Sequence, residues 1–168
     1  REGRNVLARS EGRGRAIVLL AHYDGPLTSS QSAAASASGV GTLLELARIL
    51  ESRPHRHPFV YVALDAGTWG QVGAAHVVDA LGGADSVLAA ISIDHVANGA
   101  DSGVTISGVG QGPGYAPLWL RAAAADAYAQ NSTKVQDVGP LEEWYLRTIR
   151  LSEEDSTCFH GVPVVTAS

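Results

Sequence analysis

Three short runs of this chain, residues 16–21 (AIVLLA), 58–64 (PFVYVAL) and 87–93 (VLAAISI), are almost wholly apolar and rich in branched side chains. A strand with one face in water alternates apolar and polar residues, so runs without alternation belong in a sheet covered on both faces. The segments between them have helical period. Val40, Leu43, Leu44, Ala47 and Leu50 fall at i, i+3, i+4 and i+7 spacings on one face, and Ser36 or Ser38 stands where a cap belongs. Thr68-Trp69-Gly70-Gln71 fits a capping box opening a second helix through Leu81, which Gly82-Gly83 would end. Leu118, Ala122, Ala125 and Ala129 line one face of an Ala-rich helix after Pro117. Shorter strands are expected at 5–8 (NVLA), 103–107 and 162–166 (VPVVT), with a hairpin turn at 11–14, a small-residue loop at 25–38 and a helix at 141–151. Strands alternating with helices of about 10–15 residues predict an α/β fold, with helices on both faces of a mostly parallel sheet.

Length and charge narrow the function. The 168 residues suffice for one domain spanning 1–168 with its own core, and no repeat divides them. A net charge of −5 leaves no footprint for nucleic acid, and the arginines at 1, 4, 9, 13 and 15 read as a solvated N-terminal cluster. Cys158 is the only cysteine, which excludes an internal disulfide and a thiolate metal cage. No apolar run approaches the roughly 18 residues of a membrane span, so this segment is not expected to insert. The start lacks Met and a signal-peptide pattern, which fits a domain excised from a longer protein.

In parallel sheets, ligands bind beyond the carboxyl ends of the strands. Three runs here end in polar residues: His22-Tyr23-Asp24, Asp65 and Asp94-His95. Such residues serve either as ligands or as turn and cap residues.

The order AIVLLAHYDG, SASGVGTLLELARIL, PFVYVALDAGTWGQVGAAHVV, ISIDHVANG and DSTCFHGVP resembles metallopeptidase family 28 of clan MH, from Asn5 to the end of the chain. The resemblance implies a three-layer α/β/α sandwich with a mixed central sheet, the zinc-dependent exopeptidase fold. It also implies a site of two zinc ions bridged by a carboxylate, with a glutamate as base. His22 matches the first histidine ligand, Asp24 the carboxylate behind it, and Asp94 a terminal ligand. The bridging aspartate falls on Ala35, the Glu-Glu pair on Gly67 and Thr68, and the last histidine on Ser156. Two zinc ions about 3.5–4 Å apart need anionic ligands to coexist. One His and one Asp fall short of the ~3 protein ligands of a catalytic zinc, and nothing at position 67 takes a proton from water. No catalytic residue and no cofactor are therefore expected. His22 and Asp94 remain as vestigial ligand positions, with Tyr23, Asp24, Asp65, Trp69, His95 and His160 around a vestigial cleft.

The other polar residues have plainer readings. His22 and Asp24 form a structural pair, Asp94-His95 a turn, and Asp65 either a displaced acid or a loop cap. His160 stands in the shortened closing loop, where it replaces the lost histidine only under the rebuilt-site alternative given below. His55 and His57 flank Arg56 in a solvated turn, His76 is half-buried on its helix, and residues 110–114 form a flexible turn without the lysine of a phosphate loop.

A kept fold with a lost site implies a catalytically inactive aminopeptidase-like domain that binds or scaffolds a protein or peptide. It resembles the noncatalytic nicastrin/nicalin and GPI-transamidase-subunit branches, which implies an extracytoplasmic module of a larger, membrane-attached protein. The alternative is a metal-dependent aminopeptidase or hydrolase with a rebuilt zinc site of His22, Asp94 and His160 or Asp65. A third reading is a pocket for a peptide amino terminus or small amide, walled by Trp69 and Tyr23.

Overall fold

The apolar runs form three adjacent parallel strands. In a computed structural model that describes residues 2–25, 36–66, 72–93, 96, 104–107, 118–130, 135–137 and 164–167, the strands are β1 (Val6–Arg9), β2 (Ala16–His22), β3 (Phe59–Leu64), β4 (Val87–Ile93), β5 (Val104–Ser107), β6 (Val135–Asp137) and β7 (Val164–Ala167). They make one mixed sheet in the order β1-β3-β2-β4-β7-β5-β6. β2 runs parallel to β3 and β4, and β4 to β7. β1 on β3 and β5 on β7 are antiparallel. The described helices are α1 (Ser38–Glu51), α2 (Val72–Ala80) and α3 (Leu118–Gln130), with a 3-10 turn at Ala84–Ser86.

Burial on both faces explains the missing alternation. Val18 and Leu20 of β2 join Val60, Val62 and Leu64 of β3 beneath Ala74, Val77 and Val78 of α2. The intervening residues Leu19, Ala21 and Tyr61 face the other way, with Ile93, onto Leu43 of α1. Ala89 of β4 packs against Leu120 of α3, and Ile91 borders both the α1 and α3 clusters, so these two helices share a face. The layers are therefore helix, sheet, helix, as expected. Each fully buried Val or Leu contributes about 1.5–3 kcal/mol relative to exposure. The register shifts once: Ala16 lies opposite Val87 and Ile17 opposite Ala89. The extra residue is a bulge, and it puts Val87 and Ala90 on the same side, in the α2 cluster.

Several local expectations change. No hairpin joins β1 to β2, because β3 lies between them. The 11–15 loop instead crosses the start of β3, where Ser10 and Phe59 exchange hydrogen bonds and the Arg13 amide donates to the Arg56 carbonyl at 3.0 Å. Gly12 permits the crossing: a Cβ there would lie 2.5 Å from the Pro58 nitrogen. On α1, Leu44 points outward at 66% exposure, and Leu46 takes the inward place. Neither Ser36 nor Ser38 caps α1; Ala37 occupies the cap position without a side-chain bond. On α3 the buried face is Leu120, Arg121, Ala124, Ala125 and Tyr128, while Ala122 and Ala129 are exposed. Gly82 and Gly83 do end α2: the Gly83 amide reaches back to the Val78 carbonyl and the Gly82 amide to that of Asp79, both glycines at positive φ. This is the Schellman pattern, which only a residue tolerant of left-handed backbone completes cheaply. The Thr68 capping box, the 110–114 turn and the 141–151 helix lie outside the described residues.

Candidate functional site

Because β2, β3 and β4 are parallel, their carboxyl ends share one edge of the sheet. The first turn of α1 sits directly on that edge. A Cβ added to Gly39 would lie 2.5 Å from the Ile93 carbonyl oxygen and 3.3 Å from the Ala21 Cβ. Ser36, immediately before the helix, donates its hydroxyl to the Asp24 carbonyl at 2.6 Å. These contacts bring the end of β2, the end of β4 and the start of α1 together.

His22, the last residue of β2, is 8% exposed. Its Nδ1 lies 3.5 Å from Asp24 Oδ1. That is an ion-pair distance if the imidazole is protonated, and longer than an ordinary N–H···O hydrogen bond. Tyr23 continues the strand by donating its amide to the Leu64 carbonyl at 2.9 Å. Its ring is exposed, and its hydroxyl donates to the Arg4 carbonyl at 2.5 Å. Burial of the hydroxyl, then the hydrogen bond and negative charge of Asp65, push this phenol above its ordinary pKa, with a smaller contribution from Asp24. Tyr23 therefore stays neutral through the physiological range.

Asp65, just past β3, is committed to its surroundings. One carboxylate oxygen accepts the Arg4 amide at 2.9 Å and the other the Ala66 amide at 2.8 Å. Asn5 completes the arrangement: its Oδ1 accepts the Asp65 amide at 3.1 Å and its Nδ2 donates to the Gly73 carbonyl at 2.7 Å. Ala66 follows with φ of 59°, in the left-handed region that non-glycine residues seldom adopt. Asp65 thus ties the N-terminal segment at Arg4 to the end of β3.

Of the residues singled out from the sequence, the fold brings His22, Tyr23, Asp24 and Asp65 to one edge. Ala35, Gly67, Thr68, Trp69, Asp94, His95, Ser156 and His160 lie outside the described residues. Among the described residues no group of three or more His, Cys, Asp or Glu could hold a metal ion. No helix among them is long and apolar enough to cross a membrane. Asn5 and Gly73 were missed. The only signal was a polar side chain next to an apolar edge strand, and a glycine inside a helix.

The remaining histidines sit elsewhere. His76 is exposed on α2 rather than half-buried. His55 and His57 are half-buried rather than solvated. Their Nδ1 atoms lie 3.0 Å from the carbonyls of His57 and Arg15 respectively, so each Nδ1 must carry the proton. His55 also packs edge-on against Phe59 at 5.0 Å. With Glu11, Arg13, Glu51 and Arg53 they line an open groove of mixed charge.

Known proteins share this architecture. The zinc aminopeptidase BSAP from Bacillus subtilis superposes with a TM-score of 0.75 at 20% identity, over 97% of this chain and 39% of its own. LapB from Legionella pneumophila gives 0.75 at 23% identity, over 98% and 44%. An Acidobacteriales bacterium glutaminyl cyclase gives 0.68 at 20%, over 98% and 57%. The chain thus spans about two fifths of the length of the first two of these proteins. A sequence search of curated proteins finds no match. The sequence model of Peptidase family M28 matches residues 5–164, nearly the whole chain, and with the fold in agreement this chain belongs to peptidase family M28.

Proposed function

We propose that this chain is a catalytically inactive, aminopeptidase-like domain whose carboxyl edge binds or scaffolds a protein or peptide. The observation that carries this reading is the identity of the residues at the family's site positions. Ala35, Gly67, Thr68 and Ser156 supply neither carboxylate nor imidazole. A two-zinc centre without a bridging anion leaves its cations to repel, and water without a nearby carboxylate or imidazole base is not activated. The residues present therefore do not fit the family's zinc pair, and no step is routed through it. Asp65, the one displaced acid close by, has its oxygens occupied by two backbone amides, which speaks against its recruitment as a ligand. The exposed Tyr23 ring, by contrast, offers an apolar surface with polar groups at its rim, the mixture that peptide-binding clefts use.

On this reading the domain resembles the noncatalytic nicastrin/nicalin and GPI-transamidase-subunit branches, where a partner-holding role in an extracytoplasmic module of a larger protein is the natural counterpart. Calorimetric titration with zinc tests the loss of the site. The expected result is no binding tighter than micromolar that depends on His22. Stoichiometric zinc that survives dialysis and is lost in His22→Ala would overturn the proposal in favour of a rebuilt metal site.

A further inference from the structure

We infer that the groove at the amino-terminal edge of the sheet, opposite the edge that carries His22, is a docking site for an acidic peptide segment. It goes beyond the proposed use of the carboxyl edge and does not depend on it.

β2 and β3 run parallel, so the loop that enters β2 (residues 11–15) and the loop that enters β3 (residues 52–58) meet at one edge. Backbone and side-chain bonds hold them together. The Arg13 amide donates to the Arg56 carbonyl and His57 Nδ1 to the Arg15 carbonyl, both at 3.0 Å. Within the second loop His55 Nδ1 donates to the His57 carbonyl, also at 3.0 Å. Gly12 seals the crossing, where any side chain would strike the Pro58 backbone. The groove between these loops is thus formed before a ligand arrives, and binding does not have to order its walls.

The charge of the groove selects an anion. Arg13, Arg53 and Arg56 line it against Glu11 and Glu51, a local excess of positive charge on a chain whose net charge is −5. All three arginines are exposed, and none is ion-paired among the described residues. Arg13 and Arg56 serve the fold through their backbone groups, which leaves the guanidinium forks to match carboxylates two bonds at a time. The acceptors in the same groove decide what carries those carboxylates. With Nδ1 protonated, His55 and His57 each keep Nε2 as an acceptor, and Glu11 and Glu51 add two carboxylates. A purely anionic polymer such as a sulfated glycan is repelled by both glutamates. An acidic peptide brings side-chain carboxylates for the arginines and backbone N–H groups for the acceptors.

Fluorescence anisotropy of a short fluorescein-labelled peptide of alternating glutamate and glycine tests the site. The protein should bind it, should ignore the matched peptide with lysine in place of glutamate, and should lose affinity as salt rises from about 0.05 to 0.5 M. Arg13→Glu, Arg53→Glu and Arg56→Glu should each weaken binding about two- to thirtyfold, since an exposed ion pair is lost and repulsion takes its place. Arg48→Glu makes the same change in net charge on α1, outside the groove, and should leave the affinity within about twofold of the parent. Should a reversal not fold, the neutral Arg13→Gln, Arg53→Gln and Arg56→Gln carry the test, each with a smaller loss. No binding by the parent protein, an equal loss in Arg48→Glu, unchanged affinity in the groove variants, or preference for a sulfated oligosaccharide over the peptide overturns the inference. The groove lies at the edge away from His22, so the zinc titration and peptide binding fail separately.

Discussion

Two glycines near the start of α1 should respond in opposite directions to the same substitution. Gly39 and Gly41 both lie in the helix, and replacing glycine by alanine in a helix ordinarily stabilises by about 0.5–1 kcal/mol. At Gly41 nothing lies within 4 Å of the added Cβ, so the full gain is expected. For a chain of this size that is a rise of about 1–4 °C in melting temperature. At Gly39 the added carbon would lie 2.5 Å from the Ile93 carbonyl oxygen, about 0.8 Å inside an ordinary C–H···O separation. That oxygen belongs to the end of a buried strand and has no freedom to swing away, so the helix itself must lift. Overpacking of this kind costs about 1–3 kcal/mol. After the helix gain is subtracted, a net loss centred on about 1 kcal/mol and reaching about 2.5 kcal/mol remains, or a fall of about 2–10 °C. Thermal unfolding followed by circular dichroism reads both variants. A Gly39→Ala protein that melts at or above the parent would refute the claim that α1 rests on the strand ends through this glycine.

Two further tests address titration and backbone. The Tyr61 phenol is pushed up to about 12, by burial first and then by the neighbouring Glu51 carboxylate and its hydrogen bond. A raised phenol pKa contributes stability that is complete below pH 10 and lost between pH 10 and 12, by about 1.4 kcal/mol at pH 11. Ultraviolet titration should show one late tyrosine that vanishes in Tyr61→Phe, and that variant should lose less stability between pH 10 and 11 than the parent; no difference would contradict the environment assigned to Tyr61. At Ala66, positive φ makes Ala66→Gly neutral or stabilising by up to about 1 kcal/mol, and Ala66→Val destabilising by more than about 1 kcal/mol. Equal melting temperatures for the two variants would argue against the left-handed backbone there.

The core strands were legible because two-sided burial leaves a distinctive pattern. The run at 87–93 coincides with β4, and those at 16–21 and 58–64 differ from β2 and β3 by one residue. Strand order was not legible. The partner of β1 is decided by what lies beside it in space, and residues 11–14 look like a hairpin turn whether or not they make one. Helix faces were only partly legible. In α1, Leu44 and Leu46 are equally apolar, and only the sheet beneath selects Leu46. In α3 the alanines offer no contrast, so the larger Leu120 and Tyr128 choose the buried side. At the candidate site, His22, Tyr23, Asp24 and Asp65 were found from the rule that ligands gather at strand ends. Asn5 and Gly73 escaped it. One acts through backbone groups distant in sequence, the other through the absence of a side chain, and neither leaves a chemical signature in a motif.

Aminopeptidase turnover bears most directly on whether the family's chemistry survives here. Protein purified without chelator, supplied with zinc, would be assayed against a panel of chromogenic aminoacyl substrates beside its His22→Ala variant. With no carboxylate at Gly67 or Ala35 to activate water or bridge two cations, both should hydrolyse the substrates no faster than buffer. Turnover by the parent protein that a chelator abolishes, that zinc restores and that His22→Ala lacks would contradict the assignment of this domain as an inactive member of its family.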